Sequence, residues 1–334
     1  MNAQLSSDPL WPRTGDWPSP DEFDPAERID LALLGIPTWR TSLSGSGAGG
    51  TPQAVRDALR FYCAFESPDG GDDDINRPKD SREPAAEPSD EDESERFRPE
   101  RLQLPDLRFA DFGDVDDPDG APGEARALAL MADAVDRSEI AVALGGDNAL
   151  TVPAALGAWG DELDTAGLIT LDAHHDLRDG ETNGSPVRRL IEAGLDGRRV
   201  VQIGIADFAN SAQYAARARD YGITVIHRDE LERRPMEDIM ADALEIAGSA
   251  GGPVHVDLDV DVCDRSVAPA CPASIPGGIT AFQLRRAARA AGAHPHVRSV
   301  DLAEVDVTRD TADQRTIRLC ALLVLEVAAG LTRR

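Results

Sequence analysis

Short apolar runs alternate with amphipathic stretches along most of this chain. The run Ile29–Ile36 (IDLALLGI) is short and closed by Gly35 and Pro37, which predicts a buried β-strand. Comparable runs follow: FADFGDV, IAVALGG, GLITLDAHHD, RVVQIGI, ITVIHR, PVHVDLDV and VRSVDLAEV. Between them, apolar positions recur at helical spacing over 51–63, 123–137, 148–160, 187–193, 211–221, 235–248 and 281–291, with a closing helix from Gln314. Strands this apolar, separated by helices of about three turns, predict a parallel sheet covered on both faces. In such sheets sites form at the carboxyl ends of the strands, and the acidic clusters of this sequence fall there.

Two segments interrupt the rhythm. Residues 42–50 (SLSGSGAGG) read as a flexible glycine-rich loop, and Thr51-Pro52 then opens a helix. No GK[ST] follows, so a phosphate-binding loop is disfavoured. Residues 67–105 are rich in Pro, Gly, Asp, Glu and Ser and offer too little apolar surface to offset ordering entropy, which predicts a disordered acidic insertion. The strand and helix rhythm resumes beyond it, so 1–334 is expected to be a single domain.

Composition narrows the class. The 334 residues carry 61 Asp+Glu against 34 Lys+Arg, a net charge of −27, which argues against nucleic acid as a partner. Lys79 is the sole lysine; strong acidity with lysine depletion points to a salt-rich cytoplasm, where screening relieves self-repulsion. No run reaches the ~18 apolar residues of a membrane span, and the start of the chain lacks a basic-then-apolar leader. A cytoplasmic protein without a membrane partner is therefore expected. Cys63, Cys263, Cys271 and Cys320 are too scattered for a disulfide framework and read as reduced thiols.

Two strand ends carry the chemistry. In LDAHHDL, Asp172, His174 and Asp176 share parity, and HVDLDVD repeats the pattern with Asp257 and Asp259, with Asp261 next in the same parity. So many carboxylates with one imidazole and no cationic residue between them would be costly at a buried sheet end unless metal charge neutralises them. Hard carboxylates with one nitrogen ligand favour Mn²⁺ over zinc, and the ligand count suffices for two ions. His175 alternates to the opposite face and is expected to support or pack, as is His255 deeper in its strand.

The motifs ALGGDN, DAHHD and DLDVD, with AP and PGG after the third, resemble the arginase, agmatinase and formimidoylglutamase superfamily. The resemblance implies a three-layer α/β/α fold with a mainly parallel, about eight-stranded sheet, assembled as a homo-trimer or homo-hexamer. It implies two Mn²⁺ per subunit, with Asp172 and Asp257 bridging, Asp176 completing the first site, and His174 with Asp259 completing the second. Asp176 would also shuttle a proton, and Glu304 would face the amidine group of a small-molecule substrate. Asn148 stands where the family carries a histidine ligand, so its amide oxygen would hold a weakened first site. The run DAHHDLRDGETNGSPVRRL is most similar to the formimidoylglutamase branch, and the position of NGSP assigns Asn183 and Ser185 to substrate binding. Arg178 would then grip a substrate carboxylate; from local sequence alone a surface ion pair is the other reading.

The reaction so implied is hydrolysis of the C–N bond of N-formimidoyl-L-glutamate to L-glutamate and formamide by a metal-bridging hydroxide. Agmatinase or another guanidino-hydrolase releasing urea is one alternative, and a metal-deficient, non-catalytic relative is another. A zinc deacetylase of related fold would leave the second acidic cluster unexplained.

Overall fold

The computed structural model describes residues 8–24, 26–66 and 104–334. Among the described residues eight strands alternate with eight α-helices: β1 (Ile29–Ile36), α1 (Thr51–Leu59), β2 (Phe109–Asp114), α2 (Gly120–Arg137), β3 (Ser138–Gly145), α3 (Thr151–Trp159), β4 (Gly167–Leu171) and α4 (Pro186–Ala193) form the first half. The second half comprises β5 (Val200–Ile205), α5 (Ala212–Tyr221), β6 (Thr224–His227), α6 (Met236–Ala247), β7 (Val254–Asp259), α7 (Ala281–Ala293), β8 (Val297–Ala303) and α8 (Arg315–Leu331). All strands run parallel in one sheet of order β2-β1-β3-β8-β7-β4-β5-β6.

Strand parity divides the core into layers. Leu31, Leu33, Ile140, Val142, Ile169 and Val256 pack against α1, α6, α7 and α8 on one face. Ala32, Leu34, Ala141 and Ala143 meet α2 and α3 on the other, where Leu168 and Val200 continue beneath α3, α4 and α5. The three-layer α/β/α fold is therefore present. β4 and β7 are fully buried on both faces, as the apolar runs predict, although β7 includes His255, Asp257 and Asp259. Because β7 and β8 insert between β3 and β4, the loops after β3, β8, β7 and β4 lie side by side at the carboxyl edge.

Several expected boundaries shift. The helix expected over 51–63 ends at Leu59, and Leu104, near the end of the expected insertion, is buried in a 3₁₀ turn. The rest of that insertion, 67–103, lies outside the described residues. The 42–50 loop is tied down, with Arg309 Nη2 donating to the Gly45 carbonyl at 2.7 Å and Gly47 pressed against Asp306 and Thr308. Among the described residues, no helix is long and apolar enough to cross a membrane.

Candidate metal centre and active site

β4 ends at Leu171, so the DAHHD segment is a loop and its residues converge by folding rather than by strand alternation. The Asp172 amide donates to the Ile203 carbonyl of the neighbouring strand at 3.0 Å. Asp176 takes a left-handed backbone (φ 51°), which turns its carboxylate back toward the same pocket. The loop is braced from the β5 side. His175 Nδ1 lies 2.7 Å from Gln202 Oε1, and Asn210 both accepts from the His175 amide and donates to the Ala173 carbonyl. His175 is thus a support, as expected. Gln202 and Asn210 were not legible, because amides on a separate strand and loop carry no spacing signal.

Beyond β7 a 3₁₀ turn is closed by the Asp261 amide donating to Asp259 Oδ1 at 2.8 Å. That turn carries Asp261 into the pocket. His174 Nδ1 lies 3.0 Å from Asp261 Oδ2 and 3.3 Å from Asp172 Oδ1, and one donor atom of each of these three residues lies within 4.8 Å of the others. Asp257, the expected bridging ligand, lies deeper in the strand beside Asp301 of β8. Parity gives Asp257, Asp259 and Asp261 one face but says nothing of depth, and only the last two sit at the strand tip. The cluster that could hold an ion therefore contains Asp261 and not Asp257.

Asn148 is also corrected. It is buried in the turn before α3, with Nδ2 donating to Asp176 Oδ2 at 2.7 Å and Oδ1 accepting from Thr151 Oγ1 at 2.6 Å. The amide nitrogen thus faces Asp176, and the oxygen faces Thr151, away from the cluster. Glu304, also left-handed (φ 61°), receives the Asn148 amide at 3.0 Å and Asn183 Nδ2 on the same Oε1. Asn183 further accepts from the Leu43 amide, tying the 41–43 loop to Glu304. Ser185 is fully buried and spends its hydroxyl on Thr182 within its own turn, so it does not reach the cavity expected of a substrate contact.

A cavity of about 170 Å³ opens over these groups, bounded by Leu43, His174, Asp176, Arg178, Asn183, Tyr214, Asp259, Asp261 and Glu304. Arg178 packs its stem over Gly184, and its guanidinium has no hydrogen-bond or ion-pair partner among the described residues. A larger groove, about 620 Å³, lies along α7 and α8, but its Arg285, Arg289, Glu66 and Glu326 are already ion-paired, so it lacks free chemistry.

The electrostatics describe a site short of positive charge. Burial, then the neighbouring Asp261, lifts Asp172 to about 7, and burial lifts Glu304 to about 8. Burial and adjacent acids raise Asp176 and Asp259 as well. Burial alone would lower His174, but Asp261 and Asp172 outweigh it and push it up to about 12. Protons are drawn in where a cation belongs. The donor set, carboxylate oxygens with one imidazole nitrogen, suits a hard divalent ion.

Known proteins resemble this chain along most of its length. Residues 29–330 match the arginase family. A formimidoylglutamase from Halalkalibacterium halodurans is 30% identical over 314 residues, covering 91% of this chain and 88% of its own. A guanidinopropionase from Pseudomonas aeruginosa is 38% identical over 173 residues, 50% of this chain and 51% of its own. The crystal structure of formimidoylglutamase from Bacillus subtilis superposes with a TM-score of 0.81 at 25% identity, covering 99% of this chain and 95% of the other.

Proposed function

The chain belongs to the arginase family, and on that premise we propose that it hydrolyses N-formimidoyl-L-glutamate to L-glutamate and formamide. The observation that carries the substrate class is the unpartnered Arg178 guanidinium in the cavity that also holds the acidic cluster. One pocket thus offers anionic groups to an amidine and a cation to a carboxylate.

Asp172, His174, Asp176, Asp259 and Asp261 would hold the metal, for which manganese, in two ions, fits the hard donor set best. Bound there, divalent ions supply the charge that lets water ionise near neutral pH. The protein's residues do the rest. Glu304, fixed by the Asn148 amide and Asn183, binds the amidine nitrogens and orients the carbon for attack. Asp176, steadied by Asn148 Nδ2, takes the proton of the attacking water and returns it to the leaving amine. Arg178 holds the carboxylate end and Asn183 keeps the 41–43 loop over the pocket.

A guanidino acid is the second reading, favoured by the Pseudomonas relative, since such substrates also present a carboxylate to Arg178. Agmatine carries an amine at that end, which Arg178 repels. Manganese-reconstituted enzyme is incubated with N-formimidoyl-L-glutamate, 3-guanidinopropionate and agmatine, and formamide and urea are measured. Formamide from the first is expected; urea from either of the others without formamide refutes the assignment.

A further inference from the structure

N-formimidoyl-L-glutamate carries two carboxylates, and Arg178 is the only arginine or lysine among the described residues that bound the cavity. The second carboxylate therefore needs a neutral donor. Most candidates are already engaged. Asn210 gives Nδ2 to the Ala173 and Ala206 carbonyls at 2.9 and 3.2 Å, and Asn183 directs Nδ2 at Glu304, the amidine end of the cavity. Gln202 Nε2 donates to the His175 carbonyl, so its Oε1 accepts from His175 Nδ1, which leaves Nε2 of the neutral ring an acceptor. The wholly unengaged side-chain donors beyond the metal cluster are the hydroxyls of Ser44 and Tyr214, which have no hydrogen bond to a described residue.

Of the two, Tyr214 is the fixed one, whereas Ser44 is exposed in the serine- and glycine-rich loop. Tyr214 lies in the first turn of α5, where its amide donates to Ser211 Oγ at 3.2 Å, and its ring packs against the core cluster that contains Leu177 and Val187. Arg217, one turn on, sets its guanidinium carbon 5.9 Å from the ring centroid and donates to the Leu177 carbonyl at 2.6 Å and to Asp179 Oδ1 at 2.8 Å. Arg217 thus clasps the Tyr214 ring to the residues on either side of Arg178. The hydroxyl is not among the buried unpaired atoms, so solvent reaches it. A fixed ring with a free hydroxyl loses little conformational entropy when a ligand binds. Resting on the formimidoylglutamate reading, we propose that the Tyr214 hydroxyl donates to the second substrate carboxylate, which makes Tyr214 a specificity-determining residue that favours a dicarboxylate amidine over a guanidino acid with one carboxylate. 3-Guanidinopropionate engages Arg178 alone and forgoes that bond.

Formamide release from N-formimidoyl-L-glutamate by the manganese-reconstituted full chain tests the substrate reading first; its absence refutes that reading and the role of Tyr214 with it. Steady-state kinetics of Tyr214→Phe, which keeps the ring and its packing, then tests Tyr214 itself. KM for N-formimidoyl-L-glutamate should rise about tenfold or more, as the loss of a hydrogen bond to a charged group requires, with kcat within about twofold. N-formimidoyl-L-2-aminobutyrate and N-formimidoyl-4-aminobutyrate each lack one of the two carboxylates. For one of them Tyr214→Phe and the natural chain should give equal KM, because the bond is absent from both, while for the other the gap persists. Formamide release with an unchanged KM in Tyr214→Phe, or a gap that does not depend on which carboxylate is missing, overturns the assignment and leaves the substrate reading standing.

Discussion

Asp257 and Asp261 differ by two pleats of one strand and its following turn, and that difference separates a buried neighbour of Asp301 from a ligand cluster. Asp261→Asn should therefore cost the protein at least one manganese per chain by elemental analysis, whereas Asp257→Asn should keep its full complement; the reverse pattern restores the sequence-based assignment. Arg178 is an exposed residue at the cavity rim with no ion pair to a described residue, which leaves its guanidinium open to a ligand. Arg178→Ala should raise KM for the formimidoyl substrate about 10–100-fold, the worth of a charge-assisted bond of about 1.5–3 kcal/mol, with a smaller change in kcat. Steady-state kinetics reads the split. Asp172, His174, Asp176 and Glu304, which the structure brings together at one cavity, were legible as candidates because they sit in short motifs. Asp261 was named with Asp257 and Asp259 by parity, but its depth relative to Asp257, the orientation of Asn148 and the retreat of Ser185 into its own turn were not legible, since each depends on where a strand stops and which way a side chain turns.

At the scale of elements, the loops after β3, β4, β7 and β8 must approach one another closely, and glycine makes one approach possible. A Cβ on Gly146 would stand 1.8 Å from the Thr38 carbonyl, at the exit of β3 just before Asp147 and Asn148. Gly146→Ala should displace that turn, weaken the Asn148 contacts to Asp176 and Glu304, and lower kcat at least tenfold with the fold retained by circular dichroism. The strands themselves were readable because apolar runs of parallel sheets are nearly uninterrupted, and β1 matches its expected span of Ile29–Ile36. Sheet order was not readable, because the insertion of β7 and β8 between β3 and β4 is a long-range choice no local pattern encodes. The β4 boundary also escaped the pattern: the polar LDAHHD tail alternates like a strand, yet Asp176 needs a left-handed backbone that ends regular structure.

For the whole molecule, burial of acids at the sheet edge couples metal, protons and stability. In the metal-free chain Asp172 near 7, Glu304 near 8 and His174 near 12 all keep protons that the unfolded chain has released, its groups having ordinary values of about 3.9, 4.3 and 6.5. The folded state then binds more protons than the unfolded one, so metal-free stability falls as pH rises from about 4 through about 12, with Asp172 and Glu304 setting the lower part and His174 the upper. Manganese displaces those protons, so its stabilising increment should grow with pH. Melting curves at pH 5.5 and 8, with and without manganese, should show the metal-free midpoint lower at pH 8 and the increment larger there. The most direct test of the site itself is a crystal structure of the manganese-loaded protein with anomalous scattering from the metal. The geometry predicts a manganese peak bounded by Asp172, His174 and Asp261; a peak ligated by Asp257 instead, or none at these strand tips, contradicts it.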